Sequence, residues 1–286
     1  MESRRFWGIV IIIILIAAFC TAVYATAFGL WNGNQNQQTK NEITTNYTLT
    51  DAQMAGINYV NFNFEGNTTG LDVEFKNSSD YLYDINVRRE NNSKEPAVTY
   101  TKQGDVLNVN MALDSGSAKV VLGNRCTYNG TLNSKMGGYS ISLTNSSKVD
   151  NLNATIKYLG GGTLFLGDTS FKNIALNVNT GGFMIQGFNP NITTNGSIST
   201  NVQLGGVTIT FKPQDNIGLK ITGITDLGGS NFEPNEFDVL QNSTNILDIQ
   251  TKGYNDKAIK LQINNTIGMG GINVNRFMMP FSMRNQ

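Results

Sequence analysis

Histidine is absent from the 286 residues, and cysteine occurs only twice, as Cys20 and Cys126. Without histidine the chain lacks the commonest general base and a frequent metal ligand. Cys20 lies in an apolar N-terminal run and Cys126 in a repetitive region, which excludes a disulfide scaffold and a thiolate zinc site. Cys126 alone reads as a small buried hydrophobe, since no imidazole is present to activate it. Charge is also scarce. Charged residues make up 15% of the chain, with 21 basic against 21 acidic, so there is no basic surface of the kind nucleic acid requires. Nothing calls for a cofactor. Hydrophobic residues still reach 40%, enough for a core and too many for a disordered chain.

What is abundant is glycine, at 30 residues, together with asparagine. Glycine pairs, or one Gly-Ser pair, recur as Gly116-Ser117, Gly137-Gly138, Gly160-Gly161, Gly181-Gly182, Gly205-Gly206 and Gly228-Gly229, at steps of 21, 23, 21, 24 and 23 residues. A period of 20–30 residues is the mark of a solenoid. Short runs of alternating apolar residues flank the pairs: Val109/Met111/Leu113 and Ala118/Val120/Leu122, Ile174/Leu176/Val178 and Phe183/Ile185, Val207/Ile209/Phe211. Period two places one set of side chains on one face and predicts strands. The pairs are expected to be corners that stack from rung to rung, where a bulkier side chain would collide with its neighbour. The expectation is an all-β, solenoid-like stack with rungs of about 21–24 residues. The competing architecture is an antiparallel sandwich with glycine-rich hairpins, whose turns usually recur every 8–12 residues.

Taken in order, residues 1–5 carry Arg4 and Arg5 and read as a cytoplasmic end. Residues 6–31 hold no charge and include Ile9-Val10-Ile11-Ile12-Ile13-Ile14-Leu15-Ile16, long enough for a transmembrane helix or signal anchor. The positive residues on the short side predict that the main domain is outside the cell membrane. Ala25-Thr26-Ala27 also fits a signal-peptide cleavage site, and either reading exports the remainder of the chain. A lipid anchor on Cys20 is disfavoured by the bulky Phe19 before it. Residues 32–50 are polar and read as a flexible tether. Residues 51–106 read as an irregular cap, 107–232 as the regular rungs, and 233–286 as terminal rungs ending in an apolar cap around Phe277–Phe281.

The rungs Ile174-Ala175-Leu176-Asn177-Val178-Asn179-Thr180-Gly181-Gly182-Phe183 and Ile198-Ser199-Thr200-Asn201-Val202-Gln203-Leu204-Gly205-Gly206-Val207, the run Leu71-Asp72-Val73-Glu74-Phe75 and the N-terminal anchor together resemble the putative-adhesin (toast-rack) family of prokaryotic envelope proteins. The likeness covers about residues 55–275. It implies a non-catalytic β-solenoid fold attached to surface adhesins or to regulators of envelope stress, and it supplies no catalytic motif.

Three functions are weighed. The first is presentation of a surface for adhesion or envelope interaction with a glycan or protein ligand. The second is an envelope-stress sensor acting through a membrane partner. The third is a glycan-active enzyme, which needs clustered carboxylates. The best local cluster is Asp80 and Asp84 with Arg88, Arg89 and Glu90, and a solvated strand face explains it equally well. Asp168, Asp215, Asp226 and Asp238 share no rung position. The expectation is therefore no enzyme and no metal site. Eleven N-x-[ST] sequons (Asn46, Asn67, Asn77, Asn91, Asn129, Asn145, Asn153, Asn191, Asn195, Asn242 and Asn264) are candidate glycosylation sites. Chance gives about six at this composition, and asparagine-rich turns account for the pattern as well.

Overall fold

A computed structural model describes residues 42–77 and 80–275. The apolar segment 6–31, the first part of the expected tether and the run Phe277–Phe281 lie outside the described residues. Among the described residues no helix is long and apolar enough to cross a membrane.

The described chain is almost entirely strand. β1 is Glu42–Thr50, β2 Tyr59–Lys76, β3 Tyr81–Glu90, β4 Ala97–Gln103, β5 Val106–Gly123, β6 Thr127–Leu143 and β7 Ser147–Leu166. β8 is Thr169–Phe188, β9 Gly196–Lys212, β10 Ile217–Phe232, β11 Phe237–Asn242, β12 Ile246–Thr251 and β13 Ile259–Asn275. Two single 3-10 turns, Pro234–Glu236 and Tyr254–Asp256, interrupt the last third.

Eight of these strands are rungs of 16–20 residues. They pair in parallel in the order β5-β2-β6-β7-β8-β9-β13-β10. Each rung is one strand bent near its middle, with sheet pairing continuing through the bend. The sheet is open, which agrees with a solenoid-like stack rather than a hairpin sandwich. At the two ends the order departs from the chain order. β5 stacks outside β2, and β13 is inserted between β9 and β10. The glycine steps of the sequence could not reveal this, because Gly205 and Gly228 are spaced like neighbours but each stacks on Gly270.

Alternate residues on both halves of each rung face one shared core, including Phe62, Phe64, Val73 and Phe75 of β2 and Ile174, Leu176, Phe183 and Ile185 of β8. The halves meet across that core. Phe75, after the bend of β2, packs edge-on against Tyr128, before the bend of β6, with ring centroids 5.2 Å apart. The Tyr139 hydroxyl donates to the Thr155 carbonyl at 3.1 Å, again joining one half to the other. A single rung has no such partner, so the apolar face is buried only by stacking.

Two boundaries read from the sequence need correction. Residues 42–50, expected as part of the tether, form β1, which pairs antiparallel with β3. The alternation of Ile43, Tyr47 and Leu49 turns the apolar side inward, and the Tyr47 hydroxyl donates to the Pro96 carbonyl at 3.1 Å. Residues 59–76, expected within the irregular cap, form a complete rung. It was hidden because Thr69 holds the position that glycine holds elsewhere. Thr69 is buried, and its hydroxyl bonds that of Ser134 at 2.8 Å. The true cap is antiparallel: β4 covers the first half of β5, β3 covers the second, and β1 covers β3. Such strands shield an otherwise open edge.

A candidate interaction face

The outward residues of the first half-rungs line up in columns, because parallel pairing places equivalent positions about 4.8 Å apart. One column consists of asparagine over five rungs: Asn108, Asn61, Asn129, Asn151 and Asn173. Each amide nitrogen donates to the neighbouring amide oxygen, Asn61 to Asn108 at 2.8 Å, Asn129 to Asn61 at 3.2 Å, Asn151 to Asn129 at 3.2 Å and Asn173 to Asn151 at 3.1 Å. All four bonds run the same way, so the ladder is a head-to-tail chain of dipoles. Asparagine suits this spacing because its short amide carries a donor and an acceptor at opposite corners. In the same register follow Ser197, Gln262 and Lys220.

A parallel column adds Asn63 to Asn110 at 3.0 Å and Thr222 to Asn264 at 2.8 Å. Asn177 bridges obliquely to Asn153 at 3.1 Å, and Asn133 donates to Glu65 at 2.8 Å. The result is a rigid polar face, half-buried laterally, with side-chain amides held in place by one another. On the second half-rungs, Lys119 and Glu74 form an ion pair at 2.9 Å beside Asp72. Burial pushes the Asp72 carboxyl up, against the lowering effects of its Ser140 hydrogen bond and of Lys119. A carboxyl raised by folding binds its proton more tightly in the native state, so its contribution to stability is largest below the unfolded pKa and falls as pH rises through the folded one. Asp72→Asn, which can still accept from Ser140, should therefore give a small rise in Tm at pH 7 that disappears at acid pH. Melts across pH 3–7 check this.

The bend carries a second feature. From β6 to β10 and in β13, the residue before the corner glycine gives an aligned row of Met136, Leu159, Thr180, Leu204, Met269 and Leu227. The five apolar members are exposed, Leu227 most of all at 66%.

The expected corner residues all fall at the bends. Gly116, Gly137, Gly160, Gly181, Gly205 and Gly228 have φ between +120° and +157°, as does Gly270, and Gly138, Gly161, Gly182, Gly206 and Gly229 come directly after them. The two members of a pair face opposite ways along the stack. A Cβ on Gly205 would overlap the Gly181 carbonyl oxygen on β8, whereas one on Gly206 would meet the Gly271 carbonyl oxygen of β13 at 2.8 Å.

Asp80 and Asp84 do not make a shared site. Asp80 lies at the bend before β3, while the Asp84 carboxylate accepts from the Thr48 hydroxyl at 2.7 Å. Among the described residues no three His, Cys, Asp or Glu side chains come together as a metal centre would require. The sequon asparagines divide by role. Asn129 and Asn153 belong to the ladders, Asn264 accepts from Thr222, Asn46 accepts from Asn86 at 2.6 Å and Asn191 donates to Asp168 at 2.9 Å. Asn67 pairs with Asp114, Asn77 accepts from Asn124 at 3.3 Å, and Asn195 accepts from the Lys260 backbone at 2.8 Å. Asn145, at φ +57°, donates to the Phe75 carbonyl, while Asn91 and Asn242 are exposed.

Cys126 is buried beside the Ile57 carbonyl at 3.4 Å, and burial pushes its thiol pKa up against the opposing effect of Arg125. In a Cys20→Ser background it should resist thiol reagents at pH 8 and react within minutes in denaturant. Rapid native labelling would show that the packing around it opens.

No family model matches the chain, and no curated protein does. Among solved structures the chain is similar to a putative cell adhesion protein from Clostridium sporogenes, at 14% identity and a TM-score of 0.54, over 82% of this chain and all of that one. A putative adhesin from Bacteroides fragilis aligns at 12% identity with a TM-score of 0.25, over 83% of this chain and 98% of that one. The first likeness establishes a shared fold.

Proposed function

We propose that this protein is a non-catalytic, membrane-anchored surface protein whose exported stack binds a glycan or protein of the cell envelope or of a neighbouring surface. The observation that carries the reading is the fold shared with the putative cell adhesion protein from Clostridium sporogenes over 82% of this chain. The asparagine ladder supports it. Preorganised amides on a stiff sheet can bond a hydroxyl-rich polymer without a large ordering cost. The uncharged segment 6–31 supplies the anchor, with Arg4 and Arg5 on the cytoplasmic side.

Display of the full chain on cells provides the test. External protease should remove the domain, and displayed protein should increase cell retention on immobilised envelope polysaccharide. Asn151→Lys combined with Asn153→Lys should abolish the gain while leaving the melting temperature nearly unchanged, because both side chains are exposed. Full protection from protease, or retention unaffected by display, would overturn the proposal.

A further inference from the structure

The apolar row at the bends is long and nearly unbroken. Met136, Leu159, Leu204, Met269 and Leu227, with Tyr158 beside Leu159, are each at least 39% exposed. Along the order β6-β7-β8-β9-β13-β10 only β8 interrupts them, with Thr180. Six rungs at the strand spacing make a line of about 24 Å. A contiguous apolar line of that length on a protein surface marks a contact site.

The shape of the line narrows the partner. Both halves of each rung turn inward to the core, so the bend is an outer, convex edge. The cavity lined by Phe62, Val73, Phe75 and Leu122 lies in the core and not beneath this edge. Apolar anchors between proteins seat in pockets, whereas a fluid apolar layer needs none. Charge along the edge is sparse and mainly positive. Lys135 precedes Met136, and the Lys157 ammonium lies 5.2 Å from the centre of the Tyr158 ring. Both lysines are exposed, and Asp226, before Leu227, is the acidic residue of the row. Lysine and tyrosine beside leucine and methionine match a bilayer interface. The ring sits among the headgroups, the ammonium reaches a phosphate, and the aliphatic groups enter the acyl boundary.

The chain also enters the domain at this edge. Ser117, directly after the Gly116 corner, pairs with Arg88, and Arg88 pairs with Thr44. Glu42, where β1 begins, therefore lies just past the bend. It is four strand spacings from Met136, about 19 Å. Ten residues, 32–41, separate Glu42 from the uncharged segment 6–31, a reach of at most about 36 Å. An anchor in that segment holds the bends nearest the bilayer, with the turns at 144–146 and 167–168 a half-rung farther away.

We propose that the bend edge from Met136 to Leu227 is a lipid-contact ridge that rests on the bilayer holding the chain. This builds on the anchored reading given above and fixes how the stack is presented. The bends face the lipid, and the asparagine column rises clear of it, Asn173 standing eight residues before Gly181, about 26 Å along the strand.

The full chain in vesicles of equimolar phosphatidylcholine and phosphatidylglycerol tests this, with acyl-chain-brominated lipid as the quencher. Tryptophan occurs only as Trp7 and Trp31, so Leu204→Trp in a Trp7→Phe, Trp31→Phe background reports the ridge alone. Its fluorescence should fall about twofold in brominated vesicles, as at the headgroup–acyl boundary, whereas Asn151→Trp should not change. Adding Leu159→Asp and Met269→Asp should restore the brightness of Leu204→Trp while circular dichroism stays that of the parent. Equal brightness of Leu204→Trp in both vesicles would overturn the ridge, whatever the native tryptophans do. Trp7 and Trp31 in the parent report the anchor separately: if they escape quenching while Leu204→Trp does not, the ridge stands and the anchor falls. An unquenched Leu204→Trp whose emission shifts to the blue as protein density rises would also overturn the ridge, since a second copy would then be its occupant.

Discussion

Gly205→Val should destabilise the domain by about 3–5 kcal/mol, while Gly70→Ala should cost less than about 0.5 kcal/mol. Gly205 has φ +143°, which an L side chain rarely adopts, and its Cβ would fall on the carbonyl oxygen of Gly181 in the next rung. Neither obstacle can be relieved by a rotamer change, because the opposing atom is backbone and that backbone is paired on both sides. Gly70 occupies the second position of the corner in β2, and its Cβ would find its nearest neighbour, the Ser117 Cβ, at 3.7 Å. The damage should also follow the stack rather than the sequence. Hydrogen exchange in Gly205→Val should accelerate at the bends of β8 and β13, the physical neighbours of β9, before β10, the next strand in the chain. Equal melting of Gly205→Val and the parent would refute the shared-corner explanation.

The rungs β5 to β10 were legible in the sequence because backbone passes close to backbone at each of their bends, at a positive φ that favours glycine, so a glycine marks each of those periods. The rung β2 was not, since Thr69 meets the same position with a buried hydroxyl bonded to Ser134. The order of the terminal rungs was invisible for another reason: Gly228 and Gly270 satisfy the same local rule, and nothing local states which stacks on Gly205. β1 was obscured by its polar outer side, Glu42, Thr44 and Thr48, which dominates a composition-based reading. The asparagine ladder left a trace that alignment on the corners would have exposed, since Asn129, Asn151 and Asn173 succeed one another at steps of 22 residues. Read singly they are polar spacers. Their role depends on register, which only the paired strands define.

Register at the inserted rung rests on one buried polar residue. Asn265 of β13 is 3% exposed, yet its carbonyl accepts from the Thr200 hydroxyl of β9 at 2.8 Å and its amide donates to the Thr222 carbonyl of β10 at 2.8 Å. It therefore ties β13 to both flanking rungs, neither of which adjoins it in sequence. A one-residue slip would carry Asn265 to the outer face and break both bonds. Asn265→Ala should cost about 2–4 kcal/mol, because a buried group left unpaired loses roughly 1–3 kcal/mol. Thr200→Val alone should cost about 1–2 kcal/mol, by stranding the Asn265 oxygen. The two changes together should cost less than the sum of each alone, since the second removes a polar group the first has orphaned. Denaturant titration of the four proteins measures the difference. Strict additivity would mean that the Thr200–Asn265 bond does not hold the inserted rung, and that side-chain packing alone places β13 between β9 and β10.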